Sequence, residues 1–110
     1  MDFSVHISAA EAADIVDSDI VGRSVSARQV DRYEIVGPNG GRCIVLVYDK
    51  YFMRTSSRAS LTVVINDLSG VTGIHAAGSG GGEGALFSFD WGAGQSFAYA
   101  VEDALKEYKL

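Results

Sequence analysis

The stretch Val36-Gly37-Pro38-Asn39-Gly40-Gly41-Arg42-Cys43-Ile44-Val45-Leu46-Val47-Tyr48 decides the fold. Pro38 fixes its own φ, and Asn39, Gly40 and Gly41 tolerate the positive φ that a tight reversal needs, so an antiparallel strand begins at Arg42. That strand runs over residues 42–53, and its first half is apolar on both faces, so both faces need cover. Upstream, Val25, Ala27, Val30, Tyr33 and Ile35 change parity between Ala27 and Val30, which predicts one long strand over Ser24–Val36 with a bulge or bend. Downstream, Arg54-Thr55-Ser56-Ser57-Arg58 is a polar connection. Leu61, Val63 and Ile65 then alternate with Ser60, Thr62, Val64 and Asn66 as a further strand.

Asn66-Asp67-Leu68-Ser69-Gly70 predicts another turn, and Val71–Ala77 a shorter strand with Ile74 and Ala76 on one face. Gly78–Gly84 reads as an irregular loop with the structural role of a bulge or close crossing between strands. Leu86–Trp91 alternates again, with Phe87, Phe89 and Trp91 on one face, and Gly92-Ala93-Gly94 breaks that strand. At the start of the chain Phe3, Val5 and Ile7 mark a half-buried strand. Ser8-Ala9-Ala10-Glu11 is a capping box opening a helix with Ala12, Ile15, Val16 and Ile20 inward and Glu11, Asp14 and Asp17 outward, and Gly22 stops it. Phe97, Val101, Ala104, Leu105 and Tyr108 form a second helical stripe, supported by an i,i+4 Glu102–Lys106 pair.

The resulting order, β-α-β-β-β-β-β-α, predicts an α+β fold over residues 1–110 as one domain: an antiparallel sheet of five to six strands with both helices on one face. This order resembles the helix-grip and TATA-binding-protein-like architectures, a resemblance that implies topology and no function. The segment from Tyr48 to Thr62, with the Gly78–Gly84 loop and Ala85–Trp91, resembles a small bacterial family of uncharacterised domains. That resemblance implies no active residues.

With 9 Lys+Arg against 14 Asp+Glu the chain has a formal charge of −5, which argues against nucleic acid as a partner. No Lys or Arg precedes Arg23, unlike a secretory signal, and the longest run of bulky apolar residues, Cys43–Tyr48, falls far short of the ~20 residues that span a bilayer. A lone cysteine excludes an internal disulfide framework and fits a reducing, cytoplasmic setting. The charge is unevenly placed: residues 20–60 carry seven bases and three acids, between two acidic segments.

Two anion-binding candidates follow. The Gly78–Gly84 loop offers backbone amides, but Glu83 inside it would repel phosphate and no phosphate-loop motif is present. Arg54 and Arg58 flanking Thr55, Ser56 and Ser57 place two guanidinium groups beside three hydroxyls, chemistry suited to a carboxylate or phosphate. The candidate ligand residues are thus Arg54, Ser56, Ser57, Arg58, His75 and Glu83, with a small anion as ligand; the alternative to a binding role is an enzyme or accessory subunit built on Arg54, Arg58, His75 and Glu83. His6 and His75 point outward from their strands without a second metal ligand nearby, and Cys43 reads as a small core hydrophobe. No metal, cofactor or catalytic set is expected. Asp49, Glu83 and Asp90 are carboxylates whose spacing does not require them to meet. Phe87, Phe89, Trp91, Phe97, Tyr99 and Tyr108 are core candidates that could alternatively line a pocket beneath the second helix.

The leading expectation is association. Two helices cover one face of a five- or six-stranded sheet, and an open antiparallel face should then be polar at every second position. The strand from Cys43 to Tyr48, apolar on both faces, and Val64 and Thr62, which stand opposite Leu61, Val63 and Ile65, break that rule. A noncatalytic, self-associating module that pairs through the open sheet face and binds a small molecule or protein is therefore expected.

Overall fold

Burial alternates along the central strands and divides the sheet into a covered and an open side. The computed structural model describes residues 1–53, 56–82 and 91–110, of which residues 81–82 and 91–94 by their backbone alone. The elements are β1 (Asp2–Val5), α1 (Ala9–Gly22), β2 (Arg28–Val36), β3 (Arg42–Phe52), β4 (Ser57–Asn66), β5 (Thr72–Gly82) and α2 (Trp91–Leu105), with a 3₁₀ turn at Lys106–Tyr108. The strands form one antiparallel sheet in the order β1-β5-β4-β3-β2. The expected α+β class and one-sided helical layer are both present.

Local chemistry accounts for most of the element ends. Ser8 Oγ accepts the Glu11 N–H at 3.1 Å and donates to Glu11 Oε1, opening α1. The β2–β3 reversal closes with Gly37 N–H donating to Gly41 O at 2.6 Å and Gly40 at φ 84°. Gly70 takes φ 96° in the β4–β5 turn. The parity change in β2 is a register shift between Gln29 and Asp31, which places Val30 at a bulge.

The core lies between the helices and one face of β3, β4 and β5. Ile44, Leu46 and Tyr48 pair across to Ile65, Val63 and Leu61, and Ile65 and Val63 pair on to Ile74 and Ala76. All are buried, against Ala12, Val16 and Ile20 of α1 and Phe97, Val101 and Leu105 of α2. Two polar devices pin this packing. Asp67, in the β4–β5 turn, accepts the Arg42 N–H on Oδ1 at 2.7 Å and the Ala9 N–H on Oδ2 at 3.1 Å, joining the start of β3 to the start of α1. Asp17 Oδ1 accepts from the Tyr48 hydroxyl at 2.8 Å and from Gln29 Nε2 at 2.7 Å.

Several expectations are corrected. Gly78–Gly82 is strand rather than loop, paired residue by residue with Leu61 back to Ser57. The ladder offered by β4 outweighs glycine's poor strand propensity, and Gly80, opposite Ala59, is buried on the helix side. For the same reason β4 starts at Ser57, which shortens the polar connection. Of the sixth strand expected over Leu86–Trp91, residues 86–90 lie outside the described residues, and Trp91 opens α2, so Gly92-Ala93-Gly94 belongs to a helix. Asp17 is not on the outer face of α1, because the Tyr48 hydroxyl reaches up to it. Glu102 takes Lys109 at 2.6 Å instead of Lys106, which lies 3.6 Å from Asp103.

Candidate interaction surface

The side of the sheet away from the helices is built by the alternate residues of every strand. The register sets them in rows: Ile35, Cys43, Asn66 and Gly73; Tyr33, Val45, Val64 and His75; Asp31, Val47, Thr62 and Ala77. Neighbours in such rows have Cβ atoms about 5 Å apart, so the centre of this face is a continuous apolar field. Tyr33 and Ile35 are exposed, and Cys43, Val45, Val47 and Val64 are half-buried. Cys43 therefore sits on the open face and not in the core. Its pairing with Ile35, one position from the reversal, fixes that side.

The rim is polar, and several of its charged groups find partners within the chain. Arg28 grips Asp49 through Nε–Oδ1 and Nη2–Oδ2 contacts of 2.9 and 3.1 Å, holding the Asp49 carboxyl below the usual carboxylate range and the guanidinium above its own. Ser60 and Ser79 share a 2.7 Å hydrogen bond. His75 Nδ1 lies 2.6 Å from Asp2 Oδ1, which draws the Asp2 carboxyl below its ordinary value. Arg58 spreads its guanidinium over the Tyr51 ring, 5.8 Å from the centroid.

The sequence-predicted ligand residues distribute unevenly over this scaffold. Arg54 and Glu83 lie outside the described residues. Ser56 occupies the exposed hairpin tip at φ 51°, its N–H donating to Met53 O. Ser57 is buried. Arg58 and His75 share the open face but not a neighbourhood. Arg58 pairs with Gly81, and His75 with Val64, six positions further along β4, or about 20 Å at ~3.3 Å per residue. Among the described residues no group of three or more His, Cys, Asp or Glu could hold a metal ion, and no helix is long and apolar enough to cross a membrane. Of the aromatic set, Phe97 is core, meeting Phe52 edge-on at 6.4 Å, and Tyr99 is exposed; Phe87, Phe89 and the Trp91 side chain lie outside the described residues.

Against this geometry, a family model spanning residues 1–109 matches the chain, described as a family of unknown function (DUF6054). The chain belongs to the DUF6054 family. No curated protein and no solved structure matches it. The expected kinship with an uncharacterised family therefore holds, and the match covers the whole sheet and both helices of this DUF6054 member.

The sequence set Thr62 and Val64 on the open face and read Cys43–Tyr48 as apolar on both faces, but did not single out Tyr33, Ile35 and Cys43 for that side. The signal for the first two was present in the parity change before Val30, which swaps the side on which every later odd-numbered residue of β2 stands.

Proposed function

We propose that the protein is a noncatalytic module that associates with a second copy of itself through the open sheet face. The carrying observation is the apolar field of Tyr33, Ile35, Val45, Val47 and Val64 on the side that neither helix covers. Apolar patches of this extent on isolated chains are uncommon and mark interaction sites. Size is adequate too: five strands at ~4.8 Å and the ten residues of β4 at ~3.3 Å span a face of about 800 Å², the area each partner contributes to a standard interface. Two of its rim carboxylates are already held within the chain, Asp49 by Arg28 and Asp2 by His75. Single, free Cys43 on that face fits a reducing, cytoplasmic setting.

The test is the mass of the chain in solution. Sedimentation across micromolar to submillimolar concentration is expected to give at least twice the chain mass, and Val64→Lys, which sets a charge in the centre of the field, is expected to lower that mass by removing the face-to-face contact. A wild-type chain that stays at the mass of one chain throughout, or a mass that Val64→Lys leaves unchanged, would overturn the proposal.

A further inference from the structure

The sheet has two edges, and the chain treats them differently. Beside β1, residues 108–110 run as a short cover: His6 N–H donates to Tyr108 O, Leu110 N–H to Ser4 O, and Val5 bridges Lys109. Beside β2 there is no such cover among the described residues. All nine residues of β2 are exposed, with Val30 at 55%, Tyr33 at 58%, Ile35 at 49% and Val36 at 62%. Long edge strands of this kind are normally blunted by charged side chains, lysine above all, by proline or by a bulge, and of these β2 carries the charges of Arg28, Asp31, Arg32 and Glu34. β2 contains no lysine or proline, and its bulge lies at the far end, so Asp31–Val36 is a regular free edge.

The backbone polarity of that edge can be read from its neighbour. Arg42 N–H and C=O both engage Asp67 and so point towards β4. Strand residues alternate, so Cys43, Val45 and Val47 point to β2, where they meet Ile35, Tyr33 and Asp31. Arg32, Glu34 and Val36 therefore direct their N–H and C=O groups outward, unpaired.

We propose that β2 pairs antiparallel with β2 of a second copy, in the register centred on Tyr33. The occupant follows from charge. A two-fold axis perpendicular to the sheet keeps each face continuous and must pass beside a single residue. Centring on Asp31, Arg32 or Glu34 sets that charged residue against its own copy, and centring on Ile35 leaves few residues to pair. Centring on Tyr33 sets Arg32 opposite Glu34 on both sides of the axis, with backbone hydrogen bonds exchanged within each pair. Arg32 supplies the second observation. Arg23, Arg28 and Arg42 each hold a carboxylate, while Arg32 holds none among the described residues. Glu34 is anchored by Arg42 at 2.8 Å and keeps further lone pairs for a second guanidinium. Tyr33 meets Tyr33 on the open side, so both apolar fields share one face of a sheet doubled from five strands to ten. This pairing uses the edge and stands independently of face-to-face association.

Charge reversal separates the two. In the full chain, Arg32→Glu or Glu34→Arg alone makes both cross-strand pairs repulsive and is expected to weaken edge dimerisation on the order of tenfold. Mixing the two single variants restores an Arg–Glu contact at each site, and a heterodimer is expected to recover wild-type affinity. Val64→Lys leaves this edge dimer intact. As a geometric check, Tyr33→Cys in a Cys43→Ser background is expected to crosslink under mild oxidation, since non-hydrogen-bonded pairs place Cα atoms about 4.5 Å apart, within disulfide reach. Dimerisation unaffected by either reversal, or a mixture no tighter than its components, would overturn the pairing while leaving the face proposal untouched.

Discussion

Replacing Asp67 by Asn tests whether one turn carboxylate couples the two halves of the fold. Its two oxygens serve two separate backbone donors, Arg42 N–H at 2.7 Å and Ala9 N–H at 3.1 Å. Those two bonds, Arg42 first, hold the Asp67 carboxyl below the ordinary carboxylate range. An amide of the same shape has only one acceptor oxygen, so one N–H is left facing an NH₂ group. Losing a charge-assisted cap of this kind costs about 1–2 kcal/mol, and for a domain near this size about 4 °C of Tm goes with each kcal/mol. Thermal and urea unfolding at pH 7 and fixed concentration should therefore show Asp67→Asn melting roughly 4–8 °C below wild type. The sign of the pH dependence follows from the direction of the shift. A folded-state value below the unfolded one gives stability that is present above the unfolded value, about 3.9, and is lost as pH falls through the folded value. The gap between wild type and Asp67→Asn should thus be full above about pH 5 and narrow below pH 4. Equal melting at pH 7, or a gap that persists undiminished at pH 2–3, would refute the assignment.

Tyr48→Phe removes the hydroxyl that donates to Asp17 at 2.8 Å, and urea unfolding should show a loss of about 1–2 kcal/mol, with Gln29 remaining as a partner of the carboxylate. Burial, then the bond to Asp17, pushes the Tyr48 phenol well above its usual value, so its ultraviolet ionisation should be absent at pH 10–11, around and above the ordinary value of a free phenol. Gly80→Val puts a branched side chain into a buried position of β5 under the helical layer, and overpacking should cost about 1–3 kcal/mol in the same assay. In an NMR titration Asp2 should ionise below the ordinary aspartate value, and His75→Ala should return it upward, because the His75 hydrogen bond is the main cause of its shift.

Legibility followed the range of the interaction. The Ser8 cap, the Gly37–Gly41 reversal and the inward residues of both helices were readable because each is fixed within a turn or two of chain. The Gly78–Gly82 strand was not, since nothing local in a run of glycines favours extension and the partner that imposes it lies some twenty residues upstream in β4. Asp67 was readable as a turn residue and unreadable as a tie, because Ala9 lies 58 positions away. The open face was legible in β3 and β4, where alternation is unbroken, and illegible in β2, where one bulge reverses the pattern.

That β2 should be the strand left bare follows from widths. Two packed helices, each about 10 Å across, cover roughly 20 Å, or four strands at ~4.8 Å. The sheet has five. α2 settles on β5 and β4, where the small inner-face residues Gly80, Ala59 and Ala76 let a helix approach, and α1 lies beside it chiefly over β3. The fifth strand therefore meets α1 only near its start, where Gln29 bonds Asp17, and all of its residues remain exposed. β1 already receives a cover from residues 108–110. An exposed β2 is thus a consequence of the helix-to-strand ratio, and the pairing proposed above would give Arg32, Glu34 and Val36 the backbone partners that no element among the described residues provides.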